Sequence, residues 1–144
     1  MERRKEIMGT DIRPEVTTKN NYWISKHRYY ELKHFCLQYI EWKTEYSELD
    51  GMKGGDMIRE TKSTNISNPV ERIIERRLYL SDRIDLIETA ALEAGSELNT
   101  YVLKAVTEGL SYDILKARFN IPCCRNVYYD IYRRFFWLLD KARK

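Results

Sequence analysis

The chain has 144 residues, of which 43% are apolar and 33% charged, enough to bury one core within the roughly 100–200 residues of a single domain. Three Pro, six Gly and no alternating Val/Ile/Thr-rich run argue against strands and low complexity, and no apolar run approaches the ~18 residues of a membrane span, so a soluble all-α chain is expected. The net charge of +3 is too small to demand a polyanionic partner by itself, so the placement of charge has to carry any such argument.

Residues 1–21 interleave Glu, Arg and Lys around Gly9 and Pro14 without an apolar stripe, and are expected to form a mobile arm. A first long helix is expected from about Tyr22 to Leu49, because Leu32, Phe35, Tyr39, Trp42, Tyr46 and Leu49 recur by three and four, a coiled-coil seam. Gly51, Gly54 and Gly55 end it, and the polar, aperiodic residues 50–67 read as a flexible linker. Asn68-Pro69 restarts helix as cap and first residue. Val70, Ile73, Arg77, Leu80, Ile84, Ile87, Ala91 and Ala94 then form a second seam, with Arg77 the polar intruder and Ile74 and Leu78 flanking it. Two matching seams predict a long antiparallel two-helix hairpin over residues 22–95.

Gly95-Ser96 stops the second helix, and a three-helix module is expected over residues 96–144, from about Glu97–Glu108, Ser111–Phe119 and Cys123–Arg143. From Ser111 onward, Lys116, Arg118, Arg125, Arg133, Arg134, Lys141, Arg143 and Lys144 face only Asp113, Asp130 and Asp140. A short helix, a turn and a basic, aromatic helix have the layout of a helix-turn-helix entering the DNA major groove. In the closing helix the spacing predicts a buried stripe of Cys124, Val127 or Tyr128, Ile131, Phe135, Leu138 and Ala142, leaving Arg125, Tyr129, Tyr132, Arg133 and Phe136 on the open face. Arg125, Asn126 and Tyr129 are the expected base contacts, since Arg and Asn bond guanine and adenine edges bidentately. Lys116, Arg118, Arg133 and Arg134 are the expected phosphate contacts. The competing reading packs Tyr129, Tyr132, Phe136 and Trp137 onto the hairpin and pairs Arg133 and Arg134 with Glu71, Glu75 or Glu88.

Chemistry of other kinds finds little footing. Cys36, Cys123 and Cys124, an odd number without a signal-like apolar stretch, predict a reduced, cytoplasmic setting. Adjacent cysteines and histidines seven apart, His27 and His34, lack zinc spacing. Carboxylates such as Asp82 and Asp85 lie among arginines as surface ion pairs, so no enzyme, metal or cofactor is expected.

Asn68-Pro69-Val70-Glu71, the long helix after it, Glu108-Gly109-Leu110-Ser111-Tyr112 and the run Tyr128 to Phe136 together resemble phage late-gene transcriptional regulators of the ArpU/RinA type. That family looks like a helical body followed by a helix-turn-helix similar to region 4 of bacterial sigma factors. The turn from Phe119 to Val127 is one residue longer than the family's, and the small residue of the first motif helix is displaced to Ala117. The resemblance implies a phage or prophage regulator acting on double-stranded DNA in the cytoplasm of a bacterial host, with host RNA polymerase or another host protein as a further partner and a homodimer as a further expectation. The alternative expectation is a helical protein-interaction module, a phage adaptor or inhibitor of a host complex, without DNA binding.

Overall fold

In the computed structural model the described residues are 21–51 and 69–143. The expected arm, apart from Asn21, and most of the expected linker fall outside them, as does the Asn68 cap. The fold is all-α among the described residues: α1 Lys26–Leu37, α2 Tyr39–Asp50, α3 Pro69–Ala94, α4 Asn99–Glu108, α5 Tyr112–Phe119 and α6 Arg125–Arg143. No described helix is long and apolar enough to cross a membrane. The chain divides into two compact units, one running up to Gln38 and resuming at Leu86, the other from Tyr39 to Asp85. Both dividing points fall inside the expected 22–95 hairpin, a different partition from the one periodicity suggests.

The expected first helix is interrupted at Gln38. Its backbone N–H bonds to the Phe35 carbonyl at 3.2 Å, a tightened, 3₁₀-type last turn. Its side-chain amide takes the His34 carbonyl at 3.4 Å, the acceptor a continuing α-helix would have used. The seam residues Leu32, Phe35, Tyr39 and Trp42 are buried on both sides of the break.

In the larger unit α1 packs against α4 and α6, and α4 against α5 and α6. Tyr29, Leu32, Phe35 and Cys36 of α1, Val102 and Ala105 of α4, and Phe135, Phe136 and Leu139 of α6 are almost fully buried. The core is aromatic. The Tyr29 ring meets Phe136 edge-on at 5.1 Å, Tyr132 meets Phe136 at 5.0 Å, and the Tyr29 and Tyr132 hydroxyls share a buried hydrogen bond of 2.9 Å. Such pairs add to plain burial because ring edges and faces carry opposite partial charge.

Charge closes the seam between α1 and α6. Arg28 donates to Asp140 at 2.6 Å and to Glu31 at 3.0 Å, and Arg143 reaches Glu31 at 3.3 Å while lying over the Phe35 ring. The Arg28 hydrogen bond, and after it that of Arg143, holds the Glu31 carboxyl below its ordinary value of 4.5. A carboxyl depressed by folding contributes stability that is present above its ordinary value and is lost as pH falls through the folded one. Side-chain NMR titration is expected to place the Glu31 midpoint below 4.5, and Arg28→Gln should bring it back up.

Two helix ends are fixed by left-handed residues. Gly109, at φ 73°, lets its own N–H and that of Leu110 both bond to the Ala105 carbonyl, at 2.9 and 3.0 Å, turning the chain from α4 into α5. An L side chain is strained at that φ, so Gly109→Ala is expected to cost about 1 kcal/mol in a urea unfolding titration. Ser111 then caps α5, its hydroxyl accepting from the Ile114 N–H at 3.3 Å. Gly95 serves packing instead: a Cβ there would lie 3.2 Å from Ile131 of α6.

In the smaller unit Tyr39, Trp42, Leu80 and Ile84 are buried. Arg76 of α3 forms a two-pronged pair with Glu45 of α2, at 2.6 and 2.9 Å. Arg77, the intruder in the seam, stacks over Tyr46 and reaches Asp50 at 2.8 Å. The N-terminal end of the expected seam is open: Val70 is exposed and Ile73 only half-buried.

Candidate nucleic-acid interface

Helix α5 ends in its own left-handed cap. Asn120, at φ 52° and ψ 50°, gives its N–H to the Lys116 carbonyl, and the next residue bonds back to Leu115 at 3.4 Å. Asn is among the few L residues that enter this region at small cost. That residue, Ile121, is fully buried and plugs the angle between α5 and α6. Tyr112 donates its hydroxyl to the Cys123 carbonyl at 2.7 Å, and the Lys116 ammonium reaches the Ile121 carbonyl at 3.4 Å. Five residues, Asn120 to Cys124, separate the helices, and these bonds hold them in one shape.

The buried side of α6 keeps Phe135 and, of the Val127-or-Tyr128 alternative, Tyr128 from the expected stripe, and otherwise differs from it. Tyr128, Tyr132, Phe135, Phe136 and Leu139 are buried, whereas Cys124, Val127 and Ala142 are exposed and Ile131 and Leu138 half-exposed. Tyr132 and Phe136 therefore belong to the core, not to the open face. The reason is area: burying a Tyr or Phe ring removes far more apolar surface from water than burying Cys, Val or Ala. Burial also pushes the Tyr128 hydroxyl pKa well up.

The expected contact residues sit as follows. Arg125, at the first position of α6, is exposed but engaged: it pairs with Asp113 at 2.6 Å, donates to the Tyr129 hydroxyl at 3.1 Å and lies over the Tyr112 ring at 4.9 Å. Its pKa is raised by the Asp113 hydrogen bond first and the Tyr129 bond second. It braces α6 against α5. Tyr129 is half-buried beside Tyr112 and Tyr128.

Asn126 is exposed, one residue into α6. Arg133, half-exposed, follows it by seven positions and thus shares its face about 10 Å along the axis. Arg134, exposed, lies just beside them, with exposed Asp130 between the two levels. Lys116 and Arg118 are exposed in the last turn of α5, where cations suit the helix dipole. Arg118, Arg133 and Arg134 make no ion pair or hydrogen bond among the described residues, whereas Arg125 and Lys116 do.

Internal pairing changes the balance of charge on α5 and α6. Asp140 is spent on Arg28, Asp113 on Arg125, and Arg143 on Glu31. What remains outward is Lys116, Arg118, Arg133, Arg134 and Lys141, the last lying over Trp137, against Asp130 alone. The brace of Tyr112, Asp113 and Tyr129 around Arg125 has no periodic signal in the sequence, because Asp113 stands on a different helix and meets Arg125 only through the shape of the turn.

No group of His, Cys, Asp or Glu is placed to hold a metal ion among the described residues. Cys36 is a buried thiol pushed up by desolvation, and the Cys123 thiol is raised by partial burial and then by its neighbour Cys124. Comparison with protein-family models, curated proteins and solved structures gave no match.

Proposed function

We propose that the chain is a phage or prophage transcriptional regulator that binds duplex DNA through α5, the Asn120–Cys124 turn and α6. In this reading α4, α5 and α6 make the three-helix module and α6 is the groove helix, preceded by a hairpin-like body, as in the ArpU/RinA-type regulators the sequence resembles. The site of action is the cytoplasm of a bacterial host, host RNA polymerase or another host protein is the further partner, a homodimer would span paired half-sites, and no catalytic step is involved.

One observation carries the reading: once internal ion pairs are discounted, five outward cations on α5 and α6 face one carboxylate. Phosphate neutralisation by such a surface supplies affinity. Asn126, exposed in the first turn of α6, reads adenine through its amide, and Asp130, one turn on, accepts from cytosine N4. Arg125 reads a guanine by exchanging Asp113 for the base, and otherwise keeps α6 at its angle to α5. Tyr129, half-buried, contributes its hydroxyl edge to the same end.

The reading is tested by fluorescence anisotropy on mixed-sequence duplex DNA from about 50 to 200 mM salt, where several neutralised phosphates should weaken binding by orders of magnitude. Absence of binding at the low-salt end ends the proposal and favours the alternative, a helical interaction module. A specific observation supports that alternative as well: Ile74 and Leu78 of α3 are 55% and 61% exposed.

A further inference from the structure

Helix α3 carries a line of exposed apolar side chains. Val70, Ile74 and Leu78, spaced four apart and so stacked along one side of the helix, are 39%, 55% and 61% exposed. Asp85 continues the line below Leu78, seven positions on. Its one border is acidic: Glu71, Glu75 and Asp82 fall within a narrow sector beside the stripe by their spacing of four and seven. All four carboxylates are exposed. None of them makes a side-chain hydrogen bond or ion pair among the described residues.

The helix's own arginines do not compensate. Arg72, Arg76 and Arg83 lie on the far flank by the same spacing, with Arg76 bound to Glu45 at 2.6 Å and Arg83 stacked on Tyr79 at 3.8 Å, while Arg77, seven positions from Val70 on the stripe's other side, is bound to Asp50 at 2.8 Å. An apolar stripe with one continuous acidic border is therefore presented outward from this unit.

We propose that this face of α3 docks a cationic amphipathic helix of another protein. Apolar side chains of the partner at i, i+4 and i+7 would seat between Ile74 and Leu78, and Lys or Arg beside them would meet Glu71, Glu75 and Asp82, the pairing logic of helix-on-helix recognition. A second copy is the wrong occupant: in a two-fold pairing the same patch faces itself, and carboxylates would stand against carboxylates with nothing to neutralise them. Duplex DNA and anionic lipid are excluded by the same sign of charge. The inference is independent of the DNA reading, since it uses α3 and not α5 or α6.

The probe is a fluorescein-labelled amphipathic helix of about 16 residues built from Leu, Ala and Lys, long enough to be helical when docked, with a twin in which Glu replaces Lys. The full chain should bind the Lys peptide and not the Glu peptide. Ile74→Asn/Leu78→Asn should weaken that binding at least about tenfold, and Glu71→Lys/Glu75→Lys/Asp82→Lys should reverse the preference toward the Glu peptide. These positions are exposed, so circular dichroism should show both variants folded, and their duplex-DNA binding should not fall. The proposal is overturned if the wild-type chain ignores the Lys peptide, or if either variant binds it as the wild type does. It is equally overturned if sedimentation shows a dimer that Ile74→Asn/Leu78→Asn dissociates, which would assign the face to a second copy.

Discussion

Phe136→Ala is expected to cost about 4 kcal/mol, lowering the midpoint of thermal unfolding by roughly 10–20 °C. Phe136 is fully buried and its ring meets three others, Tyr29 at 5.1 Å, Tyr132 at 5.0 Å and Phe135 at 4.9 Å. Truncating it removes the transfer term, opens a cavity and ends three edge-to-face contacts, each worth about 0.5–1.5 kcal/mol. Against a typical total of about 5–15 kcal/mol the loss is large. Val127→Ala, by contrast, should stay within about 0.5 kcal/mol, because Val127 is 46% exposed and nothing collapses around it. The pair of measurements separates two assignments of the same helix. If α6 buried Cys124, Val127 or Tyr128, Ile131, Phe135, Leu138 and Ala142, the stripe simple spacing suggests, Phe136→Ala would be the mild change, and with Val127 inside Val127→Ala would be the costly one. Differential scanning calorimetry on both variants reads the difference directly.

That reversal shows where the sequence is legible and where it is not. Turn chemistry is local, so Gly109 and Ser111 mark the end of α4 and the start of α5, Pro69 begins α3, and the helical class follows from period alone. The break at Gln38 is not local in that sense. The seam Leu32–Phe35–Tyr39–Trp42 keeps its three-and-four spacing straight through it, so the period does not mark Gln38, whose side-chain amide donates to the His34 carbonyl where the helix stops. In α6 the difficulty is a surplus of candidates. Tyr128, Tyr129, Tyr132, Phe135, Phe136 and Trp137 cover most of the helix circumference, so several stripes satisfy the period, and the one chosen is set by what α1 and α4 offer to the rings. For the candidate site, the exposure of Lys116, Arg118, Asn126 and Arg134 could be read from residue type, since isolated charges and amides stay in water. The capture of Arg125 by Asp113 could not, because it depends on the angle that Ile121 and Tyr112 impose on the turn.

Replacing Arg118, Arg133 and Arg134 together by Ala is expected to weaken duplex-DNA binding on the order of 10²-fold near 0.1 M salt and to flatten its salt dependence. Each neutralised phosphate contributes about 0.9 to the slope of log affinity against log salt, so three lost contacts reduce that slope by somewhat less than 3. These arginines have no ion-pair partner to release among the described residues, so removing them leaves no buried charge behind, and the fold should keep its stability within about 1 kcal/mol. Asn126→Ala gives the contrasting signature. It removes an uncharged amide, leaves the slope unchanged, and costs about 1–3 kcal/mol only on a duplex carrying the preferred base. Arg125→Ala should do both kinds of damage at once, since it removes a cation and also the brace to Asp113 and Tyr112 that orients α6. A slope that stays constant when all three arginines are replaced would place the nucleic-acid surface elsewhere on the chain or nowhere on it, whatever the affinity of the unmodified protein.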